Sequence, residues 1–277
     1  MSDAPFLAAQ QLLIFGRAKE ALERIEKDFD VTDPWHWWLR ATALVELDRH
    51  DEALDAVAEG LGLEPESTML LRVLARAHLD LDHLAAAEMA VLSALRLDPE
   101  DADLLALYAL IVAKANQLDK AEKLIARARR SDPENATALR IEAALAIARG
   151  KHDLALLRTR ELLAIDPEDA HAHALAGSVL HQRGDVDAAA PYLRTAVVND
   201  PGEQGYGEIA RHNLYLQHWL MFPLRPIYRF GPAPVWLTGV ALIFLLPDPF
   251  GNWFAFFWLF YCIYSWVMPA IVKRIVR

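Results

Sequence analysis

Residues 173–201 read HALAGSVLHQRGDVDAAAPYLRTAVVNDP, and this stretch decides the fold because its pattern recurs along the chain. Gly184 divides it into two helix-like runs. Pro201 ends the second run, since proline lacks a backbone donor and clashes with the preceding helical turn. Each run carries a small residue, Gly177 in the first and Ala189 in the second. Because the distance between packed helices depends on the side chains at the contact, this pair predicts two closely packed antiparallel helices.

The pattern recurs every 34 residues, which is the signature of a repeat architecture. The prolines of the series are Pro65, Pro99, Pro133, Pro167 and Pro201, whereas Pro34 lies 31 residues before Pro65 and is out of register. The two small-residue columns are Ala53, Ala87, Ala121, Ala155 and Ala189, and Ala41, Ala75, Ala109, Ala143 and Gly177. A third column holds larger residues, namely Val57, Val91, Ile125, Thr159 and Leu193. A generic alanine-rich bundle is the alternative, but it does not explain a constant spacing.

From Pro5 to Pro201 the chain resembles the tetratricopeptide repeat family. The resemblance implies an all-α, TPR-like α-solenoid of about six helix–turn–helix repeats over residues 1–201. Gly150, Gly184 and the polar run Asp48–Asp51 mark turns inside repeats. Residues 202–229 are predicted to form a capping and juxtamembrane helix, because a stacked array needs a terminal cap.

In the resembled family, the first helix of each repeat lines a groove that holds peptides or other proteins. Helical spacing places an aromatic end and an arginine patch on that face, and Trp and Arg are frequent interface anchors. The groove is predicted to contain Trp35, Trp38, Thr42, Met69, Arg72, Arg76, Asp103, Arg140, His171 and His181. The tryptophans could instead serve repeat stacking, and the arginines could simply be solvated. The carboxylate clamp of the family requires Lys and Asn where this chain has Trp38 and Thr42, so that role is not expected.

The last part of the chain has a different composition. All but five of the 28 basic residues and all but one of the 38 acidic residues precede Phe222. Phe230–Leu246 and Trp253–Val272 carry no charge and would span roughly 25 and 30 Å as helices, close to the ~30 Å hydrocarbon core. We therefore predict a two-helix transmembrane hairpin with a short basic tail at 230–277. A soluble hairpin and a re-entrant hairpin are the alternatives.

Basic residues flank both apolar stretches and predict the orientation. They are Arg225, Arg229, Lys273, Arg274 and Arg277. Positive charge stays on the cytoplasmic side, so we expect the repeat domain and the C-terminus in the cytoplasm. The N-terminus does not read as a signal peptide, which agrees with that orientation. Alanine- and arginine-rich helices suggest a bacterial inner membrane.

The sequence gives little support for catalysis. It contains no Walker A, dinucleotide-binding, zincin or nucleophile-elbow motif. His171, His173 and His181 come closest to a metal cluster but lack further ligands, and the single cysteine, Cys262, excludes a cysteine zinc site. The acidic repeat region argues against nucleic acid. We expect no enzyme, cofactor or metal, but a scaffold that binds protein partners and the bilayer. The alternative is a structural subunit or assembly factor whose aromatic hairpin docks against other membrane subunits.

Overall fold

A computed structural model describes residues 3–28, 30–247 and 249–275 of the chain. These ranges form sixteen α-helices and one 3₁₀ helix and contain no strand, which confirms the all-α prediction. Twelve of the helices follow one another as six helix–turn–helix pairs. The pairs are α1 (Asp3–Ile14) and α2 (Ala18–Asp28), α3 (Pro34–Glu46) and α4 (His50–Leu63), α5 (Thr68–Asp80) and α6 (Leu84–Leu97), α7 (Ala102–Lys114) and α8 (Leu118–Ser131), α9 (Ala136–Ala148) and α10 (His152–Ile165), and α11 (Ala170–Gln182) and α12 (Val186–Asn199).

Four more helices and the 3₁₀ helix complete the described chain. They are α13 (Gln204–Gln217), the 3₁₀ helix Trp219–Leu224, α14 (Arg225–Phe230), α15 (Pro232–Leu245) and α16 (Phe250–Ile275). The chain divides into two compact units, Met1–Leu145 and Ala146–Arg277, so that the division falls inside α9. The predicted domain boundaries at 201/202 and 229/230 stay predictions.

In the first unit, the small-residue columns form the helix contacts. Ala41, Ala75 and Ala109 of the first helices are fully buried, and so are Ala53, Ala87 and Ala121 of the second helices. The neighbouring column is buried as well, with Val57 and Val91 at 0 % and Ile125 at 2 % exposure. A residue that is small in every repeat therefore marks the point where two helices approach most closely.

The turn inside each pair uses a left-handed backbone position. In the first unit this residue is Gly16, Asp48, Asp82 or Asn116, with φ between 57° and 68°. In the second unit it is Gly150 or Gly184, with φ of 68° and 78°. From Asp48 onward these residues are 34 apart, so they form another column of the repeat. The predicted turns are confirmed, but Asp82 and Asn116 were not foreseen, because Asp and Asn there replace the usual glycine.

Polar caps begin the first helices that follow the repeat prolines. In the first unit, the Asp101 carboxylate accepts a bond of 2.9 Å from the Leu104 amide, and the Asn135 side chain accepts one of 2.8 Å from Ala138. In the second unit Asp169 accepts from the Ala172 amide at 3.0 Å. These three caps satisfy donors that a helix N-terminus leaves open, so the linkers with Pro99, Pro133 and Pro167 both end one helix and start the next. After Pro65, the N-cap Ser67 makes no such side-chain bond.

The second unit uses the same columns with two changes. Ala155 and Ala189 are fully buried, and Thr159 is 1 % exposed, its hydroxyl donating to the Ala155 carbonyl at 2.7 Å. Thr159 therefore fills an apolar position without leaving its hydroxyl unpaired. Gly177 packs directly on Leu193: a Cβ added to Gly177 would lie 2.5 Å from Leu193 Cγ. The largest residue of its column thus faces the only glycine of the opposite column.

The two apolar stretches form a helical hairpin, but they differ in length. Helix α16 contains 26 residues and is long and apolar enough to cross a membrane. Helix α15 contains only 14 residues and meets that criterion only together with Trp219–Tyr228, from which it is bent by 94°. Within the uncharged stretch Phe230–Leu246, the helix therefore extends only from Pro232 to Leu245. Gly231, with φ of 83°, separates α14 from α15.

Helices α15 and α16 pack closely through a glycine. A Cβ at Gly239 would lie 2.1 Å from the Trp258 ring, so the indole occupies the space that any side chain at 239 would need. Near the connection, a Cβ at Gly251 would lie 2.9 Å from the Ile243 carbonyl oxygen. As the contact moves back from residue 243 to residue 239 along α15, it moves forward from residue 251 to residue 258 along α16, which is the antiparallel arrangement that a hairpin requires.

Candidate protein-binding groove

The first unit carries a cavity of about 310 Å³ on the face made by successive first helices. We call this cavity the groove. Its lining comes from α3, α5, α7 and α9 and consists of Trp38, Thr42, Val45, Glu46, Arg72, Val73, Arg76, Asp103, Leu107 and Thr137. Because equivalent residues of adjacent repeats are 34 apart, the lining repeats as well: Arg72 stands one repeat after Trp38, and Arg76 one repeat after Thr42. Five of the predicted groove residues are thereby brought together.

An aromatic cluster closes one side of the groove. The Phe6 ring of α1 lies 5.0 Å from Trp35 and 6.1 Å from Trp38, and the two tryptophan rings are 5.7 Å apart in an edge-to-face arrangement. Such pairs add about 0.5–1.5 kcal/mol beyond the burial of their area. Trp35 belongs to this cluster rather than to the cavity lining, and it is half exposed. Phe6 was missed because α1 lies outside the regular 34-residue register.

The Trp38 side chain offers a hydrogen-bond donor inside the groove. Its Nε1 atom is buried, and no acceptor in the described part of the chain bonds to it. A buried indole N–H usually finds a partner, because an unsatisfied donor costs about 1–3 kcal/mol. The Thr42 hydroxyl donates to the Trp38 carbonyl at 2.8 Å and makes no bond to this nitrogen. Because the nitrogen is buried, a ligand would reach it only if the indole ring turned toward the groove.

The arginine patch is held by weak ion pairs. Arg72 Nη1 lies 3.7 Å from Asp103 Oδ2, and Asn135 donates to the other oxygen of Asp103 at 3.0 Å. Arg76 Nε donates to Asp80 Oδ2 at 2.9 Å. Both guanidinium groups are well exposed, and exposed pairs of this kind contribute about 0–1 kcal/mol. Each guanidinium has five N–H donors, so donors remain for an incoming carboxylate or carbonyl.

Two further predicted residues of the first unit lie outside the cavity lining. Met69, in the first turn of α5, and Arg140, in α9, are both half-buried. Helical spacing alone placed them on the groove face, but spacing does not determine how far each residue lies from the deepest part of that face.

His171 and His181 belong to the second unit, where both contact α13. His171 Nδ1 lies 3.1 Å from the Tyr206 hydroxyl, and His181 Nδ1 lies 2.9 Å from Asn213 Oδ1. Asn213 is buried and donates to the Val186 carbonyl at 2.8 Å. These histidines therefore connect α11 to the helix that follows the last repeat.

His181 also lies close to His212 of α13. The rings of His181 and His212 are 5.1 Å apart, and burial, followed by the neighbouring His181, lowers the pKa of His212. Within the described ranges, no three His, Cys, Asp or Glu side chains are grouped so that they could hold a metal ion.

The membrane-flanking residues occupy different environments. Arg225 forms a two-point ion pair with Asp187 of α12, at 2.8 and 3.1 Å, and its guanidinium lies over the Phe222 ring. Lys273 and Arg274 are exposed in the last turn of α16. The Arg229 side chain and Arg277 lie outside the described residues. Arg225 thus links the segment after α13 to the last repeat.

Comparison with known proteins supports the repeat assignment. The tetratricopeptide repeat model matches residues 72–136, 109–159 and 142–203. No curated protein matches the chain significantly in sequence.

Among solved structures, the chain is similar to the hetero-tetramer Cut9–Hcn1 of the APC/C, with a TM-score of 0.64 and 17% identity. That match covers 75% of this chain and 42% of the other, so the chain spans less than half of that relative. It is also similar to TTC0263, a thermophilic TPR protein of Thermus thermophilus, with a TM-score of 0.61 and 23% identity over 65% of this chain and 100% of that one.

A third similar structure is PilW, a type IV pilus biogenesis factor, with a TM-score of 0.58 and 19% identity, covering 75% of this chain and 97% of that chain. At these identities the likeness shows the fold alone. Six helix pairs, buried small-residue columns 34 residues apart and the matched family model lead to the same assignment. The chain is a tetratricopeptide repeat protein that ends in a helix long and apolar enough to cross a membrane.

Proposed function

We propose that this protein is a membrane-anchored scaffold whose repeat groove holds a segment of a partner protein. The observation that carries the proposal is the groove of the first unit, where α3, α5, α7 and α9 contribute an aromatic wall, two arginines and a buried, unpaired Trp38 donor to one cavity. Tetratricopeptide repeats are typically binding rather than enzymatic modules, which supports a role without catalysis, cofactor or metal.

The groove fits an extended peptide segment of defined chemistry. An apolar ligand side chain would pack on the Phe6, Trp35 and Trp38 rings. A ligand carboxylate would face Arg72 and Arg76, because guanidinium groups bind carboxylates through paired N–H donors. The acidic repeat region argues against a nucleic-acid partner, because nucleic-acid binding depends on basic groups that neutralise phosphates.

A charge-removal experiment tests the groove. The variant carries Arg72→Ala and Arg76→Ala, and the matched control carries Arg96→Ala and Lys123→Ala, which removes two exposed positive charges from second helices of the same unit. Tagged proteins are extracted gently in detergent, and the co-purifying proteins are quantified by mass spectrometry. We expect a partner that the control retains to be lost from the groove variant. Equal recovery of all partners with both variants would contradict the groove assignment.

The anchoring part of the proposal rests on α16 and on the basic residues at both ends of the hairpin. The positive-inside rule favours a cytoplasmic repeat domain, and we assign the protein to a bacterial inner membrane. Full-length protein should float with lipid vesicles in a density gradient. A chain ending at residue 218 should stay at the bottom, and flotation of that shortened chain would contradict anchoring by the hairpin.

A structural subunit or assembly factor of a membrane complex is the second candidate. The observation in its favour is the exposure of large aromatic residues on α16, including Phe256, Phe260 and Trp266. Replacing residues 231–277 with an unrelated two-helix anchor separates the candidates. A pure scaffold keeps its groove partner after the exchange, whereas a subunit loses its place in the complex.

A further inference from the structure

The segment between the last repeat and the hairpin exposes an unusual density of aromatic residues. We call residues 219–230, which comprise the 3₁₀ helix and α14, the collar. Trp219 is 76 % exposed, Phe222 66 %, Tyr228 46 % and Phe230 64 %. Clusters of exposed apolar side chains on one surface mark a site that another apolar phase covers.

The collar is firmly attached to the apolar helix α16. Tyr264 donates its hydroxyl to the Leu220 carbonyl at 2.6 Å, and Tyr261 donates to the Pro223 carbonyl at 3.0 Å. Met221 and Leu224 are buried in one apolar cluster with Val272. The exposed aromatics therefore belong to a fixed element and not to a loose linker.

The collar also runs across the direction of the hairpin. The segment Trp219–Tyr228 and α15 are bent by 94° at a break that contains Gly231, whose left-handed φ of 83° accommodates the change of direction. If α15 stands along the membrane normal, the collar lies parallel to the membrane plane. Tyr, Trp and Phe at that level match the interfacial belt, where amphipathic rings are enriched.

Length explains why the collar has to enter the membrane. Helix α15 has 14 residues and spans about 21 Å, which is roughly 9 Å less than the hydrocarbon core of about 30 Å. Amphipathic segments in the interface sink by about 5–10 Å into the headgroup and acyl boundary. A collar at that depth makes up the difference. In the sequence, the connection between α15 and α16 contains the acidic residue Asp248. A carboxylate is costly in hydrocarbon, so a hairpin that crosses the bilayer completely is favoured over one whose connection ends inside it.

We propose that the collar is an in-plane interfacial element that sinks into the near face of the bilayer, so that the short α15–α16 hairpin crosses completely. The occupant of the exposed aromatic surface is the headgroup and acyl boundary of the lipid. The basic residue Arg229 in the collar sequence suits anionic headgroups. This inference rests on the proposed membrane anchoring and adds to it the depth and the orientation of the last repeat at the membrane.

Depth measurements on single cysteines test the proposal. In a Cys262→Ser background, cysteine replaces Phe222 in the collar, Phe244 in α15 or Leu157 in α10, all of them exposed positions. Each full-length variant is labelled with an environment-sensitive fluorophore and reconstituted into vesicles of phosphatidylethanolamine and phosphatidylglycerol. Quencher-bearing lipids should reduce the fluorescence at Phe222→Cys and Phe244→Cys but leave that at Leu157→Cys unchanged.

The same background tests the crossing. With the repeats outside the vesicle, a membrane-impermeant maleimide should react with Asn252→Cys only after the vesicles are permeabilised. If the protein floats with the vesicles but the fluorescence at Phe222→Cys is not quenched, the collar does not enter the bilayer, although the hairpin still anchors the protein. That result would point to a protein partner on the exposed aromatic surface. Labelling of Asn252→Cys in sealed vesicles, or no labelling after permeabilisation, would overturn complete crossing. Failure of every variant to float would instead contradict the anchoring.

Discussion

The contact between Gly177 and Leu193 leads to a double-variant prediction about how the repeats are packed. In unit 1, Ala41 and Ala75 occupy the column of Gly177, and Val57 and Val91 occupy the column of Leu193. Ala109 likewise coexists with Ile125, so alanine faces a β-branched residue in three repeats, whereas glycine faces the γ-branched Leu193 in the last one. The fit between the two side chains, rather than either residue alone, satisfies the space between the helices.

The energetic terms can be worked out from the geometry. A Cβ at residue 177 would lie 2.5 Å from Leu193 Cγ and Cδ2, whereas carbon atoms in contact are about 3.5–4.0 Å apart. Overpacking of this kind costs about 1–3 kcal/mol, and the better helix propensity of alanine returns about 1 kcal/mol. Because an approach of 2.5 Å is far inside the contact distance, the cost should lie in the upper part of that range, at about 2–3 kcal/mol, so Gly177→Ala alone should destabilise the last repeat by about 1–2 kcal/mol. Leu193→Val alone removes one buried methylene and should cost about 1 kcal/mol.

The double variant should recover most of this loss. Valine removes the Cδ2 atom that the new Cβ would meet, and its γ-carbons can be accommodated as they are where Ala41 and Ala75 already pack with Val57 and Val91. The clash is therefore largely relieved, while the gain in helix propensity remains. We expect the combined variant to lie within about 0.5 kcal/mol of the native protein, which corresponds to a coupling energy of about 2 kcal/mol between the two positions.

Local hydrogen exchange in the full-length protein is the suitable assay, because repeat arrays unfold locally and a single global unfolding energy is poorly defined for them. Amides of α11 and α12 should exchange about tenfold faster in Gly177→Ala, since about 1.4 kcal/mol corresponds to a factor of ten. The double variant should exchange at nearly the native rate. If its amides exchange faster than those of both single variants, the two residues act independently and the packing argument is refuted.

Three further predictions concern other parts of the molecule. Asp82→Gly and Asn116→Gly should each stabilise their repeat by about 0.5–1 kcal/mol, because both residues hold a left-handed backbone conformation that glycine adopts more easily. The amides of the flanking helices should then exchange more slowly with solvent, and faster exchange would contradict the prediction. Burial lowers the pKa of His36, so the imidazole binds a proton more readily in the unfolded chain than in the folded chain. The stability of the protein should therefore fall as the pH drops from above the ordinary histidine pKa toward the lowered one. Thermal melts at several pH values should show a weaker pH dependence for His36→Phe than for the native protein. Gly239→Leu should separate α15 from α16, which disulfide crosslinking of cysteines placed across the hairpin would report as a loss of crosslinked product.

The periodic part of the fold could be predicted because stacking imposes the same packing requirement on every repeat. Ala75 and Ala87 must be small for the same physical reason as Ala109 and Ala121, so the requirement is visible as a column in the sequence. The left-handed turn column was partly missed for a chemical reason. Asp82 and Asn116 occupy the place of Gly150 and Gly184, and only their common spacing of 34 could have identified them.

Features outside the register could not be predicted in the same way. Phe6 joins the tryptophan cluster from α1, and α13 engages His171 and His181, yet neither helix follows the repeat spacing closely enough to be aligned. The start of α15 could not be read from hydropathy, because an uncharged stretch does not show where the backbone changes direction. Phe230 and Val235 belong to the same uncharged stretch, but Gly231 turns the chain between them.

Two neighbouring columns of residues on the same helices differ in how strongly packing constrains them, and the less constrained column faces the groove. The column Ala41, Ala75, Ala109, Ala143 and Gly177 stays small throughout, because every member packs against a second helix. Three residues earlier, the column Trp38, Arg72, Ala106, Arg140 and Ala174 changes character from one repeat to the next. Stacking buries Ala106 and Ala174 of this column, but Arg72 stays partly exposed at the groove, so packing does not account for a guanidinium there. A ligand with an apolar part beside a polar or acidic part would account for that order, which is the chemistry that the groove offers through Trp38 and Arg72.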